Sequence, residues 1–535
     1  MTWTESRPRR RPGLVAGAAA SAVVVSLLAG PDARAAGDLA APDGPAGGRP
    51  SPGAPGIGDT LYPTLGNGGY TVAHYDLDLR YATSAPSQAL DGTVTVHAVA
   101  TQALSRFDLD FSGTGVGDVI VDGRAAAFRR DDEELVITPA RPVAKGSPFV
   151  VTVRHFTAAP TVANSADFLS TIFVQTPDGS VWSGQPNESH RIFPCNDHPK
   201  DKASFSYRID VPAGTTAVAN GVLADRRTAS GRTVYRYEQP EPMATELAQV
   251  AVGALTVVPR ATTDGVVVRD VLPTRLVADL GPKLAVENAQ LQWMRRKVGG
   301  YPFRTYGSLV ADADLGFALE TQTLSLYDLS FFRYPQSVWD PVMLHELAHQ
   351  WFGDSVAPSD WKDVWQNEGH ATWYEYQYAA EKGFLADDSG TGIADFTELM
   401  KYYYSVGDQY RAEDGPVGRP KSGDVNDVFN ENVYNGGALV LYALQQKIGD
   451  AAFQRVERAW VSTYQGKSAS TADFIRLAAS IGGPGIAPFL QAWLYGTKTP
   501  PMPGHPDWTV DPVTAGATTA RTAAPAGGLK PLVRR

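Results

Sequence analysis

The sequence predicts an α+β protein with two domains, an all-β domain at residues 59–275 and a mostly helical domain at residues 276–505. From about Thr71 to Leu272, apolar residues recur at every second position, as they do in half-buried strands. After about Pro282 this period ends, and stretches with a helical period follow. The 535 residues are 43% hydrophobic, a composition that excludes a wholly disordered chain and a coiled-coil rod.

The chain begins with the pattern of an export signal. Arg7 and Arg9–Arg11 form a basic region, an apolar stretch extends from Leu14 to Gly30, and Ala33–Ala35 is a small-residue cleavage site. We therefore expect a signal peptide at residues 1–35 and a secreted, extracellular protein. The alternative is an uncleaved anchor, but an apolar run of about 17 residues is at the lower limit for crossing a membrane. No later stretch of the sequence is long and apolar enough, so we expect no membrane span after cleavage.

The segments that flank the two domains are poor in large apolar residues. Residues 36–58 are rich in Pro, Gly and Ala and predict a disordered linker, and residues 506–535 predict a disordered tail. The charge balance is acidic, with 47 Lys and Arg against 57 Asp and Glu, which argues against a nucleic-acid partner. Cys195 is the single cysteine of the sequence, so the fold has no intramolecular disulfide.

In the all-β domain the clearest strand is Tyr75–Tyr81, whose apolar and charged residues fall on opposite faces. The same alternation is present at residues 93–99, 107–111, 204–211 and 233–237, with turn residues between these segments. We expect the strands to form sheets packed face to face, in a sandwich or a saddle.

In the second domain, the apolar residues are spaced as in helices. A stretch that begins with Leu284, Asn288, Leu291 and Arg295 lacks the turn residues that separate strands. Later segments such as residues 437–447 and 471–481 have the pattern of amphipathic helices.

Two histidines of the helical domain have the spacing of metal ligands. On a helix, His345 and His349 project from one face toward one ion, and the intervening Glu346 points to a water on that ion. Glu368 follows His349 after 18 intervening residues, in a segment that opens a second helix. Two histidines and one glutamate, with a fourth position left for water, form a catalytic rather than a structural zinc site. We therefore predict one Zn²⁺ per chain, bound by His345, His349 and Glu368, with Glu346 as the general base.

The run from His345 through Glu375 closely resembles the gluzincin aminopeptidases, the family of aminopeptidase N and the leukotriene hydrolase. Residues 191–199, Arg-Ile-Phe-Pro-Cys-Asn-Asp-His-Pro, are similar to that family's Phe-Pro-Cys-x-Asp-x-Pro segment. Residues 316–322, Gly-Phe-Ala-Leu-Glu-Thr-Gln, resemble its Gly-Ala-Met-Glu-Asn motif, and residues 433–437, Val-Tyr-Asn-Gly-Gly, resemble its Tyr-x-x-Gly segment. The resemblance implies the compact bacterial form of the family, in which a thermolysin-like zinc catalytic domain follows the β domain.

The resemblance also implies roles for residues around the metal. Tyr434 would donate a hydrogen bond to the oxyanion, and Glu320 would bind the free α-ammonium of the substrate. Ala318 belongs to the same substrate-binding segment, and Gln185 lies where the family has a Glu or Gln that helps to bind the amine.

Some residues depart from the motif or have two interpretations. Phe317 takes the place of the motif glycine, Leu319 replaces methionine and Thr321 replaces asparagine, so the pocket for the first side chain is expected to differ. Glu375 lies on the same helical face as Glu368, where it either supports a metal ligand or is a charge at the domain surface. His370 would point away from that face, and we interpret it as structural or cleft-lining.

We therefore expect a secreted zinc aminopeptidase, a monomeric metalloprotease whose substrates are peptides with a free N-terminus. A thermolysin-like endopeptidase shares the metal site but needs no ammonium anchor, so the presence of Glu320 argues against it. A non-peptide hydrolase of the epoxide-opening type would use the same zinc and glutamate. A secreted binding module that has lost its activity is disfavoured because every catalytic position is present. The sequence leaves the preferred N-terminal residue and the export route open.

Overall fold

The computed structural model of the protein describes residues 49–260 and 265–513. The predicted signal peptide at residues 1–35, residues 36–48 of the predicted linker and residues 514–535 of the predicted tail lie outside the described residues. Within the described ranges, no helix combines the length and apolar character needed to cross a membrane.

The first domain consists of β-strands joined by turns and short 3₁₀ helices. Its strands are β1 (Ser51–Pro52), β2 (Tyr70–Tyr81), β3 (Leu90–Ala100), β4 (Leu104–Asp110), β5 (Asp118–Val121), β6 (Arg124–Ala125), β7 (Ala127–Asp131), β8 (Glu134–Thr138), β9 (Pro148–Ala158), β10 (Phe173–Thr176), β11 (Gly179–Trp182), β12 (Ala203–Pro212), β13 (Thr216–Ala219), β14 (Val222–Ala229), β15 (Arg232–Met243) and β16 (Val250–Gly253). The five segments with predicted alternation lie in or overlap β2, β3, β4, β12 and β15, so the predicted β domain is confirmed.

The sheets of this domain share one core. The largest sheet has the order β14-β15-β12-β2-β3-β9-β5-β6 and is antiparallel except where β2 runs parallel to β12. Two smaller sheets have the orders β1-β4-β8-β7 and β10-β11-β16-β13. Tyr75 and Leu77 of β2 are at most 1% exposed and belong to one hydrophobic cluster with Phe107 of β4 and Val181 of β11. All three sheets therefore pack against a common interior, which is why their inward positions are apolar.

The second domain is mostly helical and contains a mixed sheet. Its helices are α1 (Val277–Leu284), α2 (Glu287–Val298), α3 (Gln336–His349), α4 (Trp365–Lys382), α5 (Leu385–Asp388), α6 (Phe396–Ser405), α7 (Gly407–Asp414), α8 (Val425–Val428), α9 (Gly437–Ile448), α10 (Asp450–Tyr464), α11 (Thr471–Gly482) and α12 (Ile486–Tyr495). Its strands are β17 (Leu255–Pro259), β18 (Val267–Pro273), β19 (Thr305–Tyr306), β20 (Ser308–Ala311), β21 (Ala318–Leu319), β22 (Ser325–Asp328), β23 (Val356–Pro358) and β24 (Lys467–Ala469). The helices predicted at residues 437–447 and 471–481 are α9 and α11.

The predicted β domain at residues 59–275 includes two strands that pair in a different sheet. The strands β17 and β18 belong to the sheet of the second domain, whose order is β17-β18-β20-β22-β21 with β19 paired to β18. The register Val271↔Leu309 joins β18 to β20. Alternation of apolar residues indicates that one face of a strand is buried, but it does not predict which sheet the strand joins.

Both predicted disordered segments are too long. Within the predicted linker, β1 pairs with β4, and the amide of Gly53 donates to the carbonyl of Arg106 at 2.8 Å. Within the predicted tail, Trp508 is 8% exposed, and its ring centroid lies 4.2 Å from that of His505. The composition of residues 506–535 predicts disorder on average, but it does not show that Trp508 packs against the domain.

Candidate metal centre and active site

The helices α3 and α4 bring the predicted metal ligands together. α3 is buried along its whole course from Val338 to His349, so His345 and His349 are enclosed near its C-terminal end. Glu368 lies in the first turn of α4 and is also buried. The fold therefore encloses two imidazoles and a carboxylate in one buried site.

Two glycines allow α4 to approach the segment that carries Tyr434. A Cβ atom on Gly369 would lie 2.9 Å from the Cα atom of Gly437, well inside the usual carbon–carbon contact of about 3.5–4.0 Å. Gly437 begins α9, directly after the π-helical turn Asn432–Gly436. This close crossing puts Tyr434 beside the first turn of α4, next to Glu368.

The three predicted ligands converge on one point. The Nε2 atoms of His345 and His349 lie 3.4 and 3.3 Å from the same Oε2 atom of Glu368. All three side chains are 0% exposed, and within the described part of the chain none of these three atoms has a hydrogen-bond partner. Buried polar atoms that face one another without partners are costly, and a cation between them would satisfy all three. The donor set and its enclosure therefore fit a Zn²⁺ ion.

The second ring nitrogen of each histidine is held by the protein. The Nδ1 atom of His345 lies 2.8 Å from Oε2 of Glu375, and that of His349 lies 3.0 Å from the carbonyl oxygen of Phe352. Such partners fix the ring orientation and direct Nε2 toward the metal. Glu375 is 0% exposed, so of its two interpretations the structure favours support of a ligand over a surface charge.

Glu346 is a buried carboxyl group beside the ligands. Burial raises its pKa to about 8, while the neighbouring His345 and His349 act in the opposite direction. Among the described residues neither of its oxygens has a hydrogen-bond partner. One oxygen each of Glu346 and Glu320 and one ring nitrogen of His349 lie within 4.8 Å of one another. A carboxyl group this close to the ligands is placed to accept a proton and return it.

Glu320 and Gln185 meet at the edge of the metal centre, although they are 135 positions apart. The Nε2 atom of Gln185 donates to Oε1 of Glu320 at 2.6 Å. Burial raises the pKa of Glu320. Ala318 lies in β21, paired with Tyr327 of β22, and is fully buried. The site is therefore assembled from both domains.

Gln350, which no motif of the sequence indicated, holds the segment of Glu320. The Nε2 atom of Gln350 donates to the carbonyl of Glu320 at 3.0 Å, and its Oε1 accepts from the amide of Thr323 at 2.8 Å. One side chain directly after a metal ligand thus holds the segment that carries the amine anchor. The signal that could have revealed it is an uncharged polar residue directly after α3, between the ligand His349 and the apolar pair at residues 351–352.

Tyr434 faces the ligands from the other side. Its ring centroid lies 6.1 Å from that of His345, with the planes inclined by 23°. Its hydroxyl is buried and lies close to Glu368. Burial, and then the charges of Glu368 and Glu320, raise the pKa of Tyr434, so its hydroxyl keeps its proton and can donate it to an oxyanion.

His370 and Cys195 lie outside this group. The Nδ1 atom of His370 lies 2.6 Å from the carbonyl oxygen of Gln366, and its ring stacks on Phe352 at 4.4 Å. Cys195 is buried in the β domain, where its amide bonds to the carbonyl of Asp110. Neither residue contributes to the metal centre.

The centre consists of two histidines and one glutamate, with Glu346 between the histidines. It lies in a helical domain that follows a β domain in the sequence. These features define a two-domain metallopeptidase of the gluzincin class. The profile described as the Peptidase M1 N-terminal domain matches residues 71–247, and that of the Peptidase family M1 domain matches residues 291–493. The chain belongs to peptidase family M1.

Solved structures and curated relatives agree with this family. The crystal structure of an M1 zinc metallopeptidase from Deinococcus radiodurans has a TM-score of 0.73 and 28% sequence identity, covering 84% of this chain and 99% of that one. The leucyl aminopeptidase of Saccharolobus solfataricus is 25% identical over 351 residues, and the aminopeptidase M1 of Arabidopsis thaliana is 26% identical over 325. These matches cover 62% and 59% of this chain but only 42% and 36% of the two relatives.

Proposed function

We propose that this M1 peptidase is a secreted, monomeric zinc aminopeptidase that hydrolyses the N-terminal peptide bond of peptides. The observation that carries the proposal is the hydrogen-bonded pair of Glu320 and Gln185 next to the metal ligands. A buried carboxylate there supplies the negative charge that a substrate's α-ammonium needs, whereas an endopeptidase has no use for it. A point mutant of the Deinococcus radiodurans metallopeptidase has been crystallised with a Tyr-Ser-Ala substrate, which supports the same chemistry.

The residues around the metal centre have complementary tasks in this hydrolysis. Zn²⁺, when bound, supplies Lewis-acid polarisation of the scissile carbonyl and activation of a water molecule. Glu320 and Gln185 bind the ammonium and thereby fix which peptide bond reaches the centre. A carboxylate oxygen of Glu346 accepts a proton from the attacking water and returns it to the leaving amine. The hydroxyl of Tyr434 donates a hydrogen bond to the carbonyl oxygen as negative charge develops on it.

A panel of aminoacyl fluorogenic substrates, assayed with and without a chelator, tests the activity and its metal dependence. We expect Glu320→Ala to lower kcat/KM by about 100-fold or more, because it removes one partner of a buried charge pair. Glu398→Ala is the matched control, since Glu398 is an exposed glutamate of the same domain. Unchanged activity of the Glu320→Ala variant would refute the aminopeptidase proposal. Cleavage of an N-terminally blocked peptide by both proteins would establish an endopeptidase instead.

Export and oligomeric state need separate measurements. We expect the protein in the culture medium to begin at Ala36, as read by N-terminal sequencing, and to have the mass of one chain by light scattering. A chain that keeps residues 1–35 in the membrane fraction would contradict cleavage of the signal peptide.

A further inference from the structure

Lys202 connects the β domain to the end of the metal-binding helix. It lies immediately before β12, and its Nζ atom donates to the carbonyl oxygens of Asp354 and Ser355 at 2.5 and 2.9 Å. Both carbonyls belong to the turn that follows α3 in the other domain. Lys202 therefore anchors that turn from across the domain interface.

The anchored turn controls the surroundings of His349. The helix α3 ends at His349, so the carbonyl of this residue has no partner within the helix. The amide of Asp354 donates to that carbonyl at 3.0 Å, and the carbonyl of Phe352 faces Nδ1 of the His349 ring at 3.0 Å. A shift of the turn would therefore rotate the His349 imidazole or break the contact between its Nδ1 atom and the carbonyl oxygen of Phe352.

The ammonium group of Lys202 lies near two buried carboxyl groups, those of Asp354 and Glu246. Asp354 is 0% exposed, and among the residues with described coordinates neither of its carboxylate oxygens has a hydrogen-bond partner. Glu246 is a second carboxyl group nearby, 2% exposed. Burial lowers the pKa of Lys202 to about 8, and the charges of Asp354 and Glu246 act against this shift. A cation close to the C-terminal end of a helix also interacts favourably with the helix dipole.

We propose that Lys202 is a positioning residue of the metal centre, which holds the turn 352–355 so that the His349 imidazole keeps its metal-binding orientation. The inference rests on the proposed zinc site. It does not depend on which bond the enzyme hydrolyses, because its test is metal binding without substrate.

The experiment compares zinc release from the purified full-length holoenzyme and its variants to a chromogenic chelator. We expect Lys202→Met to weaken zinc binding by about 10–100-fold, the usual cost of losing support behind a metal ligand. Lys202→Arg keeps the charge and the donors, so its zinc release should be close to that of the wild type. Lys200→Met is the matched control, since Lys200 lies two residues earlier and its side chain is exposed.

A spectroscopic measurement separates positioning from general stability. In the Co²⁺-substituted protein, Lys202→Met should shift the visible absorption bands that report ligand geometry, and Lys202→Arg should restore them. Wild-type zinc release by Lys202→Met, or equal losses in the Met and Arg variants, would overturn the proposal. If Lys202→Met does not fold, Lys202→Gln takes its place: it has one donor group and no charge, and its zinc release must be faster than that of Lys202→Arg.

Discussion

Replacement of Glu375 by glutamine tests the contact between Glu375 and the metal ligand His345. The carboxylate of Glu375 lies 2.8 Å from Nδ1 of His345 and is fully buried. Glutamine has the same shape and can still accept the hydrogen bond through its amide oxygen, but it lacks the charge that makes the imidazole more basic. Loss of such support costs about 10–100-fold in metal affinity, which equals about 1.4–2.7 kcal/mol at 25 °C.

The assay is a titration of the metal-free protein with chelator-buffered zinc, which gives the zinc Kd directly. Glu381→Gln is the control on the same helix, because Glu381 is half-exposed and bonds to Trp293 and Lys297, away from the metal. We expect the control to keep the wild-type Kd while Glu375→Gln weakens it by the stated factor. A Glu375→Gln Kd within twofold of the wild type would refute the idea that Glu375 orients the ligand.

Three further changes test other parts of the structure. Tyr434→Phe should lower kcat by about 100–1000-fold with little change in KM, because it removes an oxyanion donor; a steady-state loss below tenfold would exclude that role. Gly369→Ala places a methyl group against Gly437, so urea unfolding should show a loss of about 1–3 kcal/mol, together with weaker zinc retention. Burial, and then the charge of Asp110, raise the pKa of Glu134 to about 8 from 4.5. The proton that Glu134 binds in the folded state therefore stabilises the fold fully below about pH 4.5, and this contribution is lost as the pH rises through about 8. Glu134→Gln should flatten the decline in unfolding free energy from pH 6 to 9, and an unchanged slope would contradict the assignment.

The features predicted correctly from the sequence are those with a local period or a fixed spacing. Alternation located β2 and β12, and the four-residue spacing of His345 and His349 located the end of α3, because each pattern reflects one element alone. The sheet that β17 and β18 join could not be predicted in this way, since both have ordinary strand patterns and only the pairing of β18 with β20 connects them to it. Trp508 was missed for a related reason: its packing depends on Tyr442, a residue far away in the sequence.

The supporting contacts of the site share a property that explains why the sequence does not reveal them. Lys202 donates to carbonyls of the turn after α3, and Asn220 and Gln249 of the β domain donate to the carbonyls of Gln322 and Leu324 at 2.7 and 2.8 Å. Their acceptors are backbone groups, which every residue carries, so no particular residue type is required at the receiving position and no paired motif arises. The ligands must be histidine and glutamate and are therefore visible in the sequence. The donors that hold the ligand segments become visible only when the two domains are seen together, and a chain can keep a complete zinc motif while losing the contacts that orient it.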